Sequence, residues 1–218
     1  MQEKSPRKRR LGRPRSEAKR QDILNAARRV FLKSGYGATS MDVVASEAGV
    51  SKQTVYGHFG SKDALFEAII REVSGSVVSP LLTPETRTLD PKETLSVFAA
   101  HFMDIVLSPT VTALYRVVIP EVRRFPELGE IFYHSGPGRA VKTLAAYLRD
   151  QSEQGTLEVA DANLAAQQFL GMLAGIPNIR RLLDIGEEPS KRERKRIVRE
   201  AVRSFLKAHA RQRKPKSG

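Results

Sequence analysis

Two short amphipathic segments pinned around one glycine constrain this chain more than any other feature. Met41, Val44, Ala45 and Ala48 recur at the spacing of one helix face. Gly49 interrupts them, Val50 points inward, and Ser51 stands where a cap would open a second short helix running to about His58. Thr39 and Asp42 have capping-box spacing ahead of the first segment. Upstream, Ile23, Ala27, Val30 and Phe31 share a face of a helix expected from a Ser16 cap to the stop at Gly35 and Gly37. Downstream, Gly60 ends the second short helix. Ser61 caps a longer one to about Val78, with Phe66, Ile69, Ile70, Val73 and Val77 inside. Two short helices joined by a tight glycine-containing turn describe a helix-turn-helix. A helix as short as 51–58 does not hold alone, so packing by Val50, Val55 and Phe59 must hold it. Lys52, Gln53, Tyr56 and Gly57 are then left on its outer face. That face is polar and positively biased, as a major-groove reader requires, and Gly57 removes a side chain where a phosphate backbone could approach.

Charge is distributed to match. The formal net charge is +13, but residues 1–20 carry nine Lys/Arg against two acids and residues 191–218 carry twelve against two, leaving 21–190 at −4. Such runs are commonly solvated tails. Abutting a DNA-reading motif, a basic arm also neutralises phosphates and releases counterions. Residues 1–15 have too little apolar surface to fold and read as a flexible arm. Within it, Arg13 and Arg15 of Gly12-Arg13-Pro14-Arg15 suit a narrow minor groove.

The run Thr39-Ser40-Met41-Asp42-Val43-Val44-Ala45-Ser46-Glu47-Ala48-Gly49-Val50-Ser51-Lys52-Gln53-Thr54-Val55-Tyr56-Gly57-His58-Phe59-Gly60-Ser61-Lys62-Asp63-Ala64-Leu65-Phe66 resembles the helix-turn-helix of the TetR family of bacterial regulators. Its Ala-Gly-Val-Ser, Thr-Val-Tyr, His-Phe and Ser-Lys-Asp-Ala-Leu blocks are in register, and the resemblance covers about residues 16–79. It implies an all-α protein of about nine helices. A DNA-binding domain at 16–79 (motif 40–59) would be followed by a helical effector-binding and dimerisation domain at 80–210 and a basic tail at 211–218.

The resemblance also implies roles. Lys52, Gln53 and Thr54 would face base edges, lysine donating to guanine and glutamine pairing with adenine. Tyr56, His58, Lys62, Thr39, Ser40 and Ser51 would hold phosphates, contacts that position without reading sequence. Thr39, Ser51 and Ser61 are almost fully explained as helix caps, whereas His58, which could merely close the motif's core, reads rather as a phosphate contact. Many relatives carry a basic residue where Asp42 stands, so a base contact from that position is not expected here.

Beyond residue 80 the resemblance thins. Pro80, Pro84 and Pro91 surround an expected linker, and helices are expected at about 92–107 and 111–124. A short and a longer helix between Pro126 and Gln154 are split at Gly136-Pro137-Gly138. Two more follow, from an Asp161 cap to about Asp184 and from Pro189 to about His209. The family dimerises through its last two helices. Gly171 and Gly175, with Ile179, then read as one half of the interface, although packing within the chain explains this Gly-x-x-x-Gly nearly as well. Val198, Val202 and Phe205 form the matching stripe on the last helix. The family further implies a small-molecule cavity. Phe98, Phe102, Tyr115, Phe132, Tyr147 and Met172 are candidate walls, and His101 and His134 candidate polar hooks, for an amphipathic or aromatic effector. Each of these is also an ordinary core or surface residue type.

The function implied is a homodimeric repressor that leaves a palindromic double-stranded operator when its effector binds. The competing reading is a non-specific or architectural DNA-binding protein driven by the basic ends. Enzyme chemistry has no support: there is no nucleophile elbow, Ser135-Gly136-Pro137-Gly138 lacks the Gly-Lys-Ser/Thr ending of a phosphate loop, and the four histidines are scattered. Neither a metal nor a cofactor is expected. The absence of cysteine excludes disulfides and thiolate chemistry and suits a reducing compartment. With no secretory h-region and no membrane-length apolar run, a cytoplasmic, nucleoid-associated protein is expected.

Overall fold

The computed structural model describes residues 13–81 and 90–210. The arm up to residue 12, the linker stretch 82–89 and the tail 211–218 lie outside the described residues, as do the side chains of Arg13 and Arg15. Ten α-helices and one 3-10 turn make up the described chain: α1 (Arg13–Ala38), α2 (Met41–Glu47), α3 (Lys52–Phe59), α4 (Lys62–Val78), the turn Ser79–Leu81, α5 (Pro91–Val106), α6 (Pro109–Glu121), α7 (Pro126–Ser135), α8 (Pro137–Glu153), α9 (Ala162–Leu183) and α10 (Lys191–His209). The all-α expectation holds. The described helices number ten when α7 and α8 are counted separately, on either side of the split expected at Gly136. Among the described residues the only β-type pairing outside helices is a single bridge between Leu157 and Ala210.

Local chemistry explains most of the boundaries. Helices α5, α6, α7 and α8 each open on proline, at Pro91, Pro109, Pro126 and Pro137, where a missing N–H costs nothing. Asp161 caps α9 by accepting from the amides of Asn163 and Leu164, and Ser190 with Glu193 forms a complete capping box on α10. Two expected caps move. Helix α1 starts at Arg13 rather than after Ser16, because Pro14 is tolerated in a first helical turn. Helix α2 is capped by Ser40, which accepts from the Val43 amide, and not by Thr39.

The residues divide into two compact units, one up to Phe66 and one from Glu67 onward, the division falling inside α4. In the first unit Ile23, Leu24, Phe31 and Tyr36 of α1 pack with Val44, Val55, Leu65 and Phe66. Phe31 stacks on Tyr36 at 5.7 Å, and Phe66 meets both rings edge-on at 5.2 and 5.5 Å. In the second unit α5, α8, α9 and α10 enclose Leu95, Phe98, Leu144, Leu148, Phe169 and Phe205. The end of α10 is tied to the loop after α8, where the Glu158 amide donates to the His209 carbonyl at 2.9 Å.

Candidate nucleic-acid interface

The two short helices owe their geometry to one backbone position. Gly49 adopts φ 64°, a left-handed conformation that side chains resist, and so reverses the chain between α2 and α3. The Val50 amide returns to the Ala45 carbonyl at 3.0 Å. Ser51 opens α3 by accepting from the Thr54 amide at 3.2 Å and pairs its hydroxyl with that of Thr54 at 2.8 Å. Val55 and Phe59 are buried beneath the helix, whereas Val50 is half-buried. Lys52, Gln53, Tyr56 and Gly57 are exposed together on the far side, and nothing lies within 4 Å of where a Gly57 side chain would begin. Thr54 and His58 are half-buried at the edges of this face.

Lys52 is not a bare charge. Its Nζ lies 2.8 and 3.0 Å from the two Asp42 carboxylate oxygens and 5.8 Å from the Tyr56 ring centre. Hydrogen bonding to Asp42 and its charge hold the Lys52 ammonium above the usual lysine range. Sequence reasoning treated Asp42 only as a cap and missed this pairing. The i-to-i+10 separation across the turn is the signal that could have found it.

The remaining expected phosphate contacts separate. Ser40 and Ser51 are exposed at the N-termini of α2 and α3. Thr39 is a correction: it is 3% exposed, and its hydroxyl donates to the Gly35 carbonyl at 2.7 Å, so its side chain is spent inside the unit. Lys62 is half-buried, donates to the Tyr36 carbonyl at 3.1 Å and lies 4.2 Å from the centre of that ring.

In the second unit α4, α5, α6, α7, α8 and α9 surround a cavity of about 170 Å³. Phe102, Tyr115 and Phe132 line it as expected walls, Tyr115 meeting Phe132 edge-on at 4.7 Å. Burial pushes the Tyr115 hydroxyl pKa above its ordinary value. Five expected wall or hook residues lie elsewhere. Phe98 and Tyr147 are buried in the core formed with α8 and α9, while His101 and Met172 face outward on α5 and α9. His134 is exposed beside Glu130. The α4 wall of Ile70, Val73 and Val77, and Asn178 of α9, escaped sequence reasoning because cavity wall and core carry the same apolar pattern.

The expected dimer residues also divide. Gly171, Gly175 and Ile179 are exposed on α9, with open space beside both glycines, and Met172 and Ile176 join them at 43% and 68% exposure. Val198, Val202 and Phe205 are a correction. They are buried within the chain, where Phe205 meets Phe169 at 5.0 Å, because the narrow apolar stripe of α10 is used up against α5 and α9.

Comparison with known proteins follows the same division. Residues 23–69 match the profile of bacterial regulatory proteins of the tetR family, and residues 93–211 that of the AefR-like transcriptional repressor C-terminal domain. The transcriptional activator FasR of Mycolicibacterium smegmatis is 37% identical over 93 residues, 43% of this chain and 42% of FasR, so the match spans less than half of that relative. The regulator UidR of Escherichia coli K12 is 27% identical over 182 residues, 78% of this chain and 83% of UidR. Among solved structures, the flavonoid-responsive regulator FrrA is 31% identical and superposes with a TM-score of 0.74 over 90% of this chain and 100% of FrrA. No single described helix is long and apolar enough to cross a membrane. The matched profiles cover both compact units, and the chain belongs to the TetR family of helix-turn-helix transcription regulators.

Proposed function

We propose that the chain is a homodimeric repressor that reads a palindromic operator through α3 and releases it when a small molecule fills the cavity beside α4. The exposed Lys52–Gln53–Tyr56–Gly57 face, braced from behind by buried Val55 and Phe59, carries this reading. Lys52, held on that face by exposed Asp42, and Gln53 beside it carry donors and acceptors that suit guanine and adenine edges. Thr54 extends the base-reading edge, Tyr56, His58, Ser40 and Ser51 border it as phosphate contacts, and Arg13 and Arg15 at the start of α1 add minor-groove charge. The second copy covers the exposed apolar strip of α9, Gly171, Met172, Gly175, Ile176 and Ile179. Release requires the effector to prefer a conformer whose two α3 helices no longer match half-sites roughly 34–36 Å apart. Helix α4 is the proposed lever, since it starts just after α3 and supplies cavity residues from Ile70 onward. The responsiveness of FrrA to flavonoids supports an effector. The repressor assignment rests on the AefR-like profile, against the activator FasR.

The test is a footprint on the DNA flanking the protein's own gene, repeated with the Lys52→Ala/Gln53→Ala double variant. Loss of the footprint in a folded, dimeric variant is expected, and an unchanged footprint overturns the assignment. The architectural alternative is favoured by the +13 net charge. It predicts binding that ignores sequence and falls steeply with salt. Deleting residues 1–15 discriminates, since a regulator keeps its operator preference and loses only overall affinity.

A further inference from the structure

The cavity among α4, α5, α6, α7, α8 and α9 has one chemical oddity. Among the described residues, no lysine, arginine, aspartate, glutamate or histidine lines it. Its wall is aliphatic and aromatic, with Phe102, Tyr115 and Phe132 presenting rings. Of its polar side chains, Ser74 is spent, donating to the Ser135 carbonyl at 2.7 Å. Half-buried Asn178 keeps one unmet group: its Oδ1 is closed to solvent and accepts no hydrogen bond. Such an orphan amide oxygen in a largely apolar wall carries a desolvation cost that a suitable ligand group would relieve.

We infer that the cavity takes an uncharged, single-ring aromatic carrying a hydroxyl, a simple phenol, with Asn178 as its hydrogen-bonding anchor. The inference rests on reading this cavity as the effector site and specifies its ligand. Charge is the first discriminator. An ionised carboxylate or ammonium would be stripped of water here with no opposite charge to meet it, a cost far larger than one hydrogen bond returns. Size is the second. A volume of about 170 Å³ is close to the roughly 150 Å³ of an engineered apolar cavity that holds benzene. It therefore admits one ring with small substituents. The third is hydrogen-bonding sense. A hydroxyl both donates and accepts, so it satisfies the Asn178 amide whichever of its two ends faces the ligand. Aromatic walls that already meet edge-on favour a ring over a chain of equal volume.

Calorimetry on the full-length dimer with four matched probes tests this: p-cresol, toluene, p-toluate and 4-methylbenzylamine. Wild-type protein is expected to bind p-cresol best, toluene about tenfold more weakly for want of the hydrogen bond, and the two ions at least a hundredfold more weakly. In Asn178→Leu the p-cresol advantage over toluene is expected to vanish. Binding of p-toluate or 4-methylbenzylamine as tight as p-cresol overturns the inference, as does no binding of p-cresol. An equal loss of toluene and p-cresol in the variant overturns the role of Asn178. The wild-type series stands alone should the variant not fold. Operator binding by the unliganded wild type is measured on the same preparation. Its failure beside an intact p-cresol preference would remove the regulator reading and leave the ligand assignment in place.

Discussion

Replacing Asp42 by asparagine tests whether the ion pair it forms with Lys52 restrains DNA binding. The substitution keeps the shape and the helix-start preference of the side chain and removes only its charge. In the unliganded protein that charge lies 2.8 Å from the Lys52 ammonium, and both side chains are more than half exposed. A paired lysine adds little to counterion release, whereas an unpaired one adds a full charge. The slope of log K against log salt should therefore steepen by about 0.9 per copy, and about 1.8 for a dimer on its operator. Between 50 and 200 mM salt this is a differential of about twelvefold: the affinity gain of the variant over wild type should be that much larger at the lower concentration. Fluorescence anisotropy with operator and scrambled duplexes across a salt series reads both slopes, and the operator should gain at least as much as the scrambled sequence. An unchanged slope would mean that the pair persists on DNA. Weaker operator binding would mean that Asp42 itself accepts from a base, as a carboxylate can from cytosine N4. Either result refutes the restraint.

Three further outcomes follow from the described geometry. Ile176→Asp places a charge in the exposed apolar strip of α9; sedimentation should show monomers with unchanged helicity, and an intact dimer would move the interface elsewhere. Phe31→Ala removes the ring that contacts both Tyr36 and Phe66, at a cost of about 3–5 kcal/mol; the loss should appear in denaturant titration. Ser190→Ala breaks the capping box of α10, with an expected cost of about 1 kcal/mol and a fall in Tm of about 2–4 °C. The hydrogen bonds from Ser190 hold the Glu193 carboxyl below its ordinary pKa. A depressed carboxyl stabilises the fold above its unfolded pKa and loses that contribution as pH falls through the folded value. The Tm difference between wild type and Ser190→Ala should accordingly shrink in acid, below the ordinary glutamate range, and persist at neutral pH.

What could be read before any coordinates depended on whether a residue's task is local. Ser51, Asp161 and Gly49 act on backbone groups within a few positions, so their caps and turn were legible. Thr39 and Ser40 were exchanged because adjacent hydroxyls compete for one cap, and only the half-buried Gly35 carbonyl decides which side chain turns inward. The apolar stripe of α10 announced a buried face without saying whose. One narrow stripe, however, satisfies one packing surface, and Phe205 spends it on Phe169. Helix α9 is apolar on two sides, with Phe169 and Leu173 inside and Met172, Ile176 and Ile179 outside. A helix so built requires two partners, and its own chain supplies cover for only one of those sides. Reading the stripes by number rather than by position would thus have assigned α9, and not α10, the outward role. The cavity resists even that arithmetic. Phe98 and Phe102 sit one helical turn apart on α5 with the same side chain, yet only Phe102 borders the cavity. Whether an apolar side chain meets a neighbour or a space is set by the helices opposite it, and no periodicity along its own strand of sequence encodes that. Asn178 shows the same limit from the polar side: between exposed Ile176 and Ile179 it reads as a surface residue, and only the fold shows its Oδ1 closed off without a partner.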